Sequence, residues 1–289
     1  MTQFEPPAFF SLEDDAFVPA PIARGPWSAE MLNGRLLAGL FARAFDQQYA
    51  DSTFLFSRLT VDLFRSPPMR PVQVQTSVAR EGNRIRAFDA TMRCDGVEIA
   101  RANTVALLKS EQPDGAVWTP PVWSVPAPEE IEAPAFPPTN GGASRPQGFS
   151  PMWDSRTITG RMGGAELVQK RCWVRESRPL VQGEELTPFV RVAMAADYTN
   201  PWANSGNQGL QFINADITLY IHRLPRQEWI GFEVVNHGST EGVAIGECAL
   251  YDKEGPIGRS TVCSLANRRM GPGPGPGMPP AEARGAAAT

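Results

Sequence analysis

The chain has 289 residues, enough for two domains or one large one, and its 42% hydrophobic and 20% charged residues are typical of a globular protein. The net charge of −4 is spread without blocks of like charge, which argues against nucleic acid and an anionic membrane surface as partners. The first residues lack the basic segment of a signal peptide, and no apolar run reaches the ~18 residues of a membrane span, so we expect a cytoplasmic protein without membrane partners.

Cysteine and histidine are too sparse and too scattered to predict a metal site. The four cysteines form no CxxC pair, and the only histidines are His222 and His237. We therefore expect no metal or redox cofactor, and thiols that stay reduced.

The first half of the chain predicts one long helix followed by strands. Ser28 can cap a helix over about 29–47, whose apolar residues cover a wide surface and favour burial. Strands are predicted near 55–65, 71–80, 84–94 and 97–109, with the turn sequences EGNR and CDGV between them. This order is typical of an antiparallel sheet packed against one helix.

A proline-rich stretch and a low-complexity tail flank the second half. Residues 118–149 lack helical or strand periodicity and predict a linker, and residues 270–289 are rich in Gly, Pro and Ala and predict a disordered tail. Between them, the chain predicts a weaker helix over 188–198 and strands near 213–223, 229–237, 242–252 and 256–268.

The two halves share a pattern at one constant separation of 158 residues. Identical residues recur at that separation without a gap: Thr60 and Thr218, Arg65 and Arg223, Pro67 and Pro225, Ile99 and Ile257, Arg101 and Arg259, Leu107 and Leu265. The apolar alternation of the strands follows the same separation, which favours an internal duplication.

One buried helix wrapped by a curved antiparallel sheet is the hot-dog arrangement. Its duplication predicts an α+β fold, a double hot-dog with a long helix in each half. We expect an N-terminal hot-dog at 1–117, the linker at 118–149, a C-terminal hot-dog at 150–269 and the tail at 270–289. Exposed sheet edges need cover, so we also expect a homodimer or higher homo-oligomer.

The chain contains three distinctive stretches: RGPWSAEMLNGRLLAGLFARAF, ADITLYIHRLPRQEWIGFEV and DKEGPIGRSTVC. They resemble, in turn, the start of the long helix, a second-half strand and the last hairpin of the thioesterase II-like acyl-CoA thioesterases. The resemblance covers nearly the whole predicted ordered chain. It implies a double hot-dog fold, an acyl-CoA or other small thioester as partner, and hydrolysis of that thioester to a free acid and a thiol.

Asp216 is the first candidate site residue, because carboxylates are depleted in strands and yet this one stands at the head of a strand. Its counterpart in the first half is Arg58, as expected if only one half kept an active site. The resemblance implies that Asp216 orients or deprotonates the water that attacks the thioester. The structural alternative is a strand-end aspartate that pairs with an arginine or caps a turn.

The resemblance implies two further catalytic positions, a Thr or Ser and a Gln. The first falls on or beside His237, so Ser239 or Thr240 can supply the hydroxyl and His237 can titrate; a strand-end turn is the alternative for these residues. The Gln position falls at Cys263, and a thiol cannot replace an amide. Cys263 is therefore either a substrate contact or a small core residue.

Asn33 and Gly34 are the candidates for binding the carbonyl of the substrate. They lie where the Gly-containing helix start of the family falls, and backbone N–H groups at a helix N-terminus can polarise a carbonyl. Tight packing of the helix on the sheet would also require a glycine. The phosphates of CoA need cationic contacts, for which the sequence offers four candidates without separating them: Arg58, Arg65, Arg223 and Arg226.

Three functions remain open from the sequence. Thioester hydrolysis by an Asp-activated water is favoured, without a nucleophilic serine because no GxSxG motif is present. A binding protein for acyl-CoA or acyl chains without catalysis is the alternative, since the Gln is missing. A hot-dog hydratase is the third, although PWSAEMLNGR offers no His for it.

Overall fold

The computed structural model describes residues 7–28, 30–133, 153–164 and 166–267. The predicted tail at 270–289 and the second half of the predicted linker, 134–149, lie outside the described residues. The described chain contains two runs of secondary structure, and each run ends in long antiparallel strands.

The first run contains one α-helix. A hairpin of β1 (Phe10–Glu13) and β2 (Ala16–Pro19) precedes α1 (Gly34–Tyr49). The strands that follow are β3 (Phe54–Leu63), β4 (Gln73–Arg80), β5 (Ile85–Cys94) and β6 (Val97–Leu108).

The second run begins with β7 (Trp153–Thr159) and β8 (Arg171–Glu176), followed by the helices α2 (Pro188–Ala196) and α3 (Thr199–Asn204). Three short strands come next, namely β9 (Ser205–Gly206), β10 (Gly209–Leu210) and β11 (Phe212–Asn214). The run ends with β12 (Asp216–Ile221), β13 (Ile230–Thr240), β14 (Val243–Asp252) and β15 (Gly255–Ala266).

One antiparallel sheet joins the two runs. Its strand order is β4-β5-β6-β3-β12-β15-β14-β13-β8-β7, with β11 also paired to β15. β3 and β12 are neighbours in the middle, so the sheet is continuous from one half to the other. The buried residues of this sheet and of the helices form one hydrophobic core.

The last two strands of each half recur at the predicted separation. β5 and β14 begin and end 158 residues apart, and so do β6 and β15. In the middle of the sheet Thr60 pairs directly with Thr218, and their hydroxyl oxygens are 3.3 Å apart. Because these two residues are themselves equivalent, a local twofold axis passes through the pair.

The helices do not repeat, and the prediction of a long helix in each half is not confirmed. α1 has 16 residues, whereas α2 has 9 and is followed by α3 with 6. Pro201 explains the break, because proline has no N–H to bond the carbonyl of Asp197 four residues earlier. The N–H of Asn200 bonds that carbonyl instead. In the described ranges, all helices fall short of the length and apolarity that a membrane-spanning helix needs.

α1 begins at Gly34 rather than near 29, and Ala29 itself lies outside the described residues. Bridges from Leu32 to Arg24 and from Met31 to Pro68 keep the preceding segment extended. The helix start is thereby held against the loop that follows β3, which positions it for the site described below.

Part of the predicted linker packs on the face of the second half that points away from the helices. Trp123 stacks on Tyr251 with ring centroids 4.2 Å apart, and Trp173 donates a hydrogen bond of 3.1 Å to the carbonyl of Pro126. With Trp229, these side chains form an apolar cluster separate from the main core. The division of the chain into two hot-dog domains and a linker stays a prediction.

Gly258 offers a test of the pairing between β15 and β12, next to the central junction. It pairs with Ile221, and a Cβ at this position would overlap the carbonyl oxygen of Tyr220 and lie 2.8 Å from the Cα of Ile221. Because backbone atoms cannot rotate away, Gly258→Ala should lower the free energy of unfolding by about 3 kcal/mol, as measured by chemical denaturation.

Gly238→Ala is the matched control, since it is another strand glycine whose added Cβ would have no described atom within 4 Å. Its free energy of unfolding should stay within about 0.5 kcal/mol of the unmodified protein. Equal losses in the two variants would refute the close approach of strands at Gly258.

Candidate active site

A cleft of about 790 Å³ lies between the two halves. Its walls come from the start of α1, the loop after β3, the junction of α2 and α3, the β9–β10 hairpin and β11. Its lining is mostly apolar, with Trp27 and Met31 among the larger side chains. The polar side chains in its wall include Asn33, Asp197 and Asn214. An apolar cleft with a few placed polar groups is typical of a small-molecule site.

The first turn of α1 supplies an unused backbone donor. Asn33 caps the helix, because its Oδ1 accepts a hydrogen bond of 3.3 Å from the N–H of Arg35. Gly34 lines the cleft, and its N–H has no acceptor among the described residues. Since a helix N-terminus carries partial positive charge, this N–H is able to donate to a negatively charged oxygen.

Asp197 lies against the same helix start. Its Oδ2 lies 3.3 Å from the position that a Cβ on Gly34 would take, so any side chain there would crowd the carboxylate. Asn214 donates a hydrogen bond of 2.9 Å to Oδ1. Burial raises the pKa of Asp197, while the hydrogen bond from Asn214 and the charge of Arg35 oppose the rise. The carboxyl therefore titrates closer to neutral pH than an ordinary aspartate.

Asp197 was not among the residues selected from the sequence, although one signal was available. It follows α2 directly, and a carboxylate at a helix C-terminus is disfavoured by the helix dipole. Its partner Asn214 stands two residues before Asp216. Asp197 and Asn214 meet because β11, which carries Asn214, pairs with β15. This pairing joins distant segments, and no local sequence pattern reveals it.

A buried ion pair lies beneath the start of α1. Arg35 is 1% exposed and bonds Glu176, which is 6% exposed. The guanidinium lies 4.7 Å from the ring centroid of Phe9 and 4.3 Å from that of Trp153. Its Nε and Nη2 have no acceptor among the described residues. Burial raises the pKa of Glu176, and the positive charge of Arg35 opposes the rise.

Asp216 and Cys263 are neighbours on the other face of the sheet. The Oδ1 of Asp216 accepts a hydrogen bond of 2.6 Å from the backbone N–H of Cys263. Their side chains alternate with the buried Ile217 and point away from the helices. Partial burial and the neighbouring Asp216 raise the pKa of the Cys263 thiol to about 11. The amide of Asn214 reaches the carbonyl of Asp216 at 3.2 Å, which links this pair to the wall of the cleft.

His237 and Ser239 lie elsewhere, on β13. The Nδ1 of His237 is 2.8 Å from the Oδ1 of Asn204, and burial together with the charge of Lys170 lowers the pKa of His237. Two strands, β14 and β15, separate β13 from β12, which at normal strand spacing is about 14 Å. The structure therefore places Asn33 and Gly34 together at the start of α1 and Asp216 beside Cys263. It does not place Asp216 near His237 or Ser239.

The site has no cluster of side chains suited to a metal. Within the described residues, no group of three or more His, Cys, Asp or Glu side chains is arranged to hold a metal ion.

Comparison with known families matches both halves of the chain. Residues 23–107 match the acyl-CoA thioesterase N-terminal domain, and residues 128–261 match the acyl-CoA thioesterase C-terminal domain. The chain therefore belongs to the acyl-CoA thioesterase family of double hot-dog proteins. This membership supports thioester hydrolysis in general. A comparison with curated proteins found no match.

Solved structures share the fold at low sequence identity. A hot-dog protein of unknown function from Alicyclobacillus acidocaldarius has a TM-score of 0.68 at 16% identity, with 90% of this chain and 96% of that chain covered. A tesB protein of Mycobacterium avium subspecies paratuberculosis has a TM-score of 0.64 at 15% identity, covering 87% and 92%. The acyl-CoA thioesterase II TesB2 of Mycobacterium marinum has a TM-score of 0.59 at 14% identity, covering 89% and 94%.

The ion pair beneath the site can be tested against a second pair on the same helix. Glu176→Gln leaves the buried guanidinium of Arg35 without its counter-charge and should lower the free energy of unfolding by about 3–5 kcal/mol. Arg43 pairs in the same way with Glu184, whose side chain is 34% exposed. Glu184→Gln should therefore cost about 1 kcal/mol or less.

Chemical denaturation of both variants measures the difference. A loss for Glu176→Gln no larger than that for Glu184→Gln would contradict a buried, charged pair beneath the cleft.

Proposed function

We propose that this protein hydrolyses an acyl thioester whose carbonyl binds in the cleft at the start of α1. The observation that carries the proposal is that the carboxylate of Asp197 lies close to Gly34, whose N–H is unused, in the wall of the same cleft. A base and an oxyanion donor on opposite sides of one position are what acyl transfer to water requires.

Each group has a distinct part in this reaction. Asp197 accepts a proton from water as the water oxygen bonds to the carbonyl carbon. The N–H of Gly34 donates to the oxygen that becomes negative in the tetrahedral intermediate. When the C–S bond breaks, the protonated Asp197 returns its proton to the leaving sulfur, so that an acid and a thiol result.

The neighbouring side chains prepare the two reacting groups. Asn214 fixes the orientation of the Asp197 carboxylate through Oδ1 and leaves Oδ2 directed at the start of α1. Asn33 caps the helix and so fixes the peptide that carries the N–H of Gly34. The positive charge of Arg35 beneath this start favours the negative oxygen, because it acts in a buried setting.

Asp216 is the competing base, since the sequence resemblance gives it that role. Its Oδ1 already accepts the N–H of Cys263, which leaves its second oxygen for a water. In this version of the mechanism, His237 and Ser239 would need a substrate that reaches from β12 to β13, and Cys263 would contact the substrate. We favour Asp197 because it lines the cleft together with Gly34.

A binding protein without catalysis is the second candidate. The observation behind it is Cys263, which stands where the resembled family has a Gln. Its thiol has a pKa of about 11 and is neutral at neutral pH. A thiol lacks the strong hydrogen-bond acceptor and donor that an amide provides. In either case the partner is an acyl thioester, and cytoplasmic location and a homodimer or higher homo-oligomer stay predictions.

A pair of isosteric variants separates the two aspartates. Asp197→Asn keeps the shape of the side chain and a hydrogen-bonding oxygen but removes the base, so kcat should fall about 100-fold or more. Asp216→Asn should retain most of the activity. Thiol release from a panel of acyl-CoA substrates of graded chain length measures both.

The two variants must first be compared by thermal unfolding, so that turnover is expressed per folded molecule. Unchanged turnover in Asp197→Asn would end its role as base, and a loss confined to Asp216→Asn would transfer that role. Tight acyl-CoA binding without thiol release by the unmodified protein would favour the binding protein.

The pH profile gives an independent check. A base must be ionised to act, so activity is lost as pH falls through its pKa. Because burial raises the pKa of Asp197, the acid limb of kcat/KM should lie above the value of about 4 for an ordinary aspartate. An acid limb at or below that value, in a protein still folded by circular dichroism, would argue against Asp197.

A further inference from the structure

The duplication places two arginines at equivalent positions of the two halves. The N–H of Phe64 bonds the carbonyl of Ile99, and the N–H of His222 bonds the carbonyl of Ile257 in the same way. Arg65 and Arg223 directly follow these residues. The backbone at the end of β3 therefore repeats at the end of β12, and the two side chains start from matching positions.

The arginine of the second half is neutralised within the protein. Arg223 donates from Nη1 and Nη2 to the two carboxylate oxygens of Asp252, each at 2.6 Å. Nη2 also donates to the carbonyl of Gly255 at 3.0 Å. A bidentate pair with a buried carboxylate fixes the guanidinium and satisfies its charge, so Arg223 is not available to a ligand.

The arginine of the first half has lost this partner. The residue equivalent to Asp252 is Cys94, and the adjacent Asp95 pairs with Arg70 at 2.6 Å. No carboxylate of the described chain forms a salt bridge with Arg65. Arg65 is exposed and lines the cleft that contains Asp197. Of the two equivalent arginines, Arg223 is therefore paired within the protein, and Arg65 lies at the candidate site.

We propose that Arg65 binds a phosphate of a nucleotide-linked thiol carrier of the coenzyme A type, at the mouth of the cleft. A guanidinium in water at the rim of a mostly apolar cleft pairs best with an anion, and its fork geometry matches phosphate oxygens. The proposal rests on the proposed function, because it places the thiol end of the carrier toward the start of α1 and its phosphates outside. It singles out one of the four arginines that the sequence offered.

Isothermal titration with CoA and with pantetheine, which lacks the phosphates, tests this assignment without requiring turnover. Arg65→Gln should weaken CoA binding about tenfold, as expected for loss of one charge-assisted hydrogen bond, and should leave pantetheine binding unchanged. Added salt should weaken CoA binding to the unmodified protein more than to Arg65→Gln.

Arg226→Gln is the control, because Arg226 is exposed, pairs with Glu254 and lies outside the cleft. It should leave both affinities unchanged. The assignment is overturned if the unmodified protein does not bind CoA, if Arg65→Gln binds CoA equally well, or if Arg226→Gln loses as much. CoA binding that depends on Arg65, without thiol release from any acyl-CoA, would instead refute hydrolysis and support the role of Arg65.

Discussion

The pairing of β3 with β12 determines how the rest of the protein is arranged. Val61 and Ile217 face each other across this junction and are 0% and 1% exposed, so the contact between the halves is part of the core. The same register joins the ends of the two strands, where the N–H of Leu63 bonds the carbonyl of Ala215 at 2.8 Å. These two ends form adjoining walls of the cleft. A shift of register by one residue would reverse the faces of β12 and separate those walls.

The same junction leaves two helix starts that are not equivalent. α2 begins at Pro188, which has no N–H, and Thr187 accepts the N–H of Val190 at 3.3 Å. The cavity beside it measures about 300 Å³, and the pair of Arg43 and Glu184 lies in its wall. The start of α1 instead has glycine, an open cleft and an unused donor. The duplicated fold therefore offers two related places for a ligand, and the chemistry is concentrated at one of them.

The sequence predicted well the strands that recur in both halves, because their signals are local and occur twice, but it missed β7 and β8 at the edge of the sheet. β5 and β14 lie within a residue of the predicted spans, and the separation of the halves followed from identities such as Thr60 and Thr218. The length of the second-half helix was harder to predict. The apolar pattern of 188–198 indicates a helix, but it does not show that Pro201 removes a backbone hydrogen bond that a longer helix would need.

The site was predicted only in part for a related reason. Asn33 and Gly34 were selected because the Gly-containing motif of the resembled family falls there, whereas the local pattern predicted a helix start near residue 29 and put both residues inside the helix. The meeting of Asp197 with Gly34 depends on the packing of α2 against α1, and no spacing in the sequence contains that information. The separation of His237 from Asp216 likewise depends on strand order rather than on either local pattern.

The segment around Trp123 also affects where the chain can be divided. It stacks on Tyr251 and lies against Trp173, both of which belong to the sheet of the second half. A fragment that began at residue 150 would leave these rings bare to water, and a contiguous patch of exposed aromatic surface promotes self-association. This part of the predicted linker therefore shields aromatic side chains of the second half from water. A separately expressed C-terminal half would have to begin before Trp123.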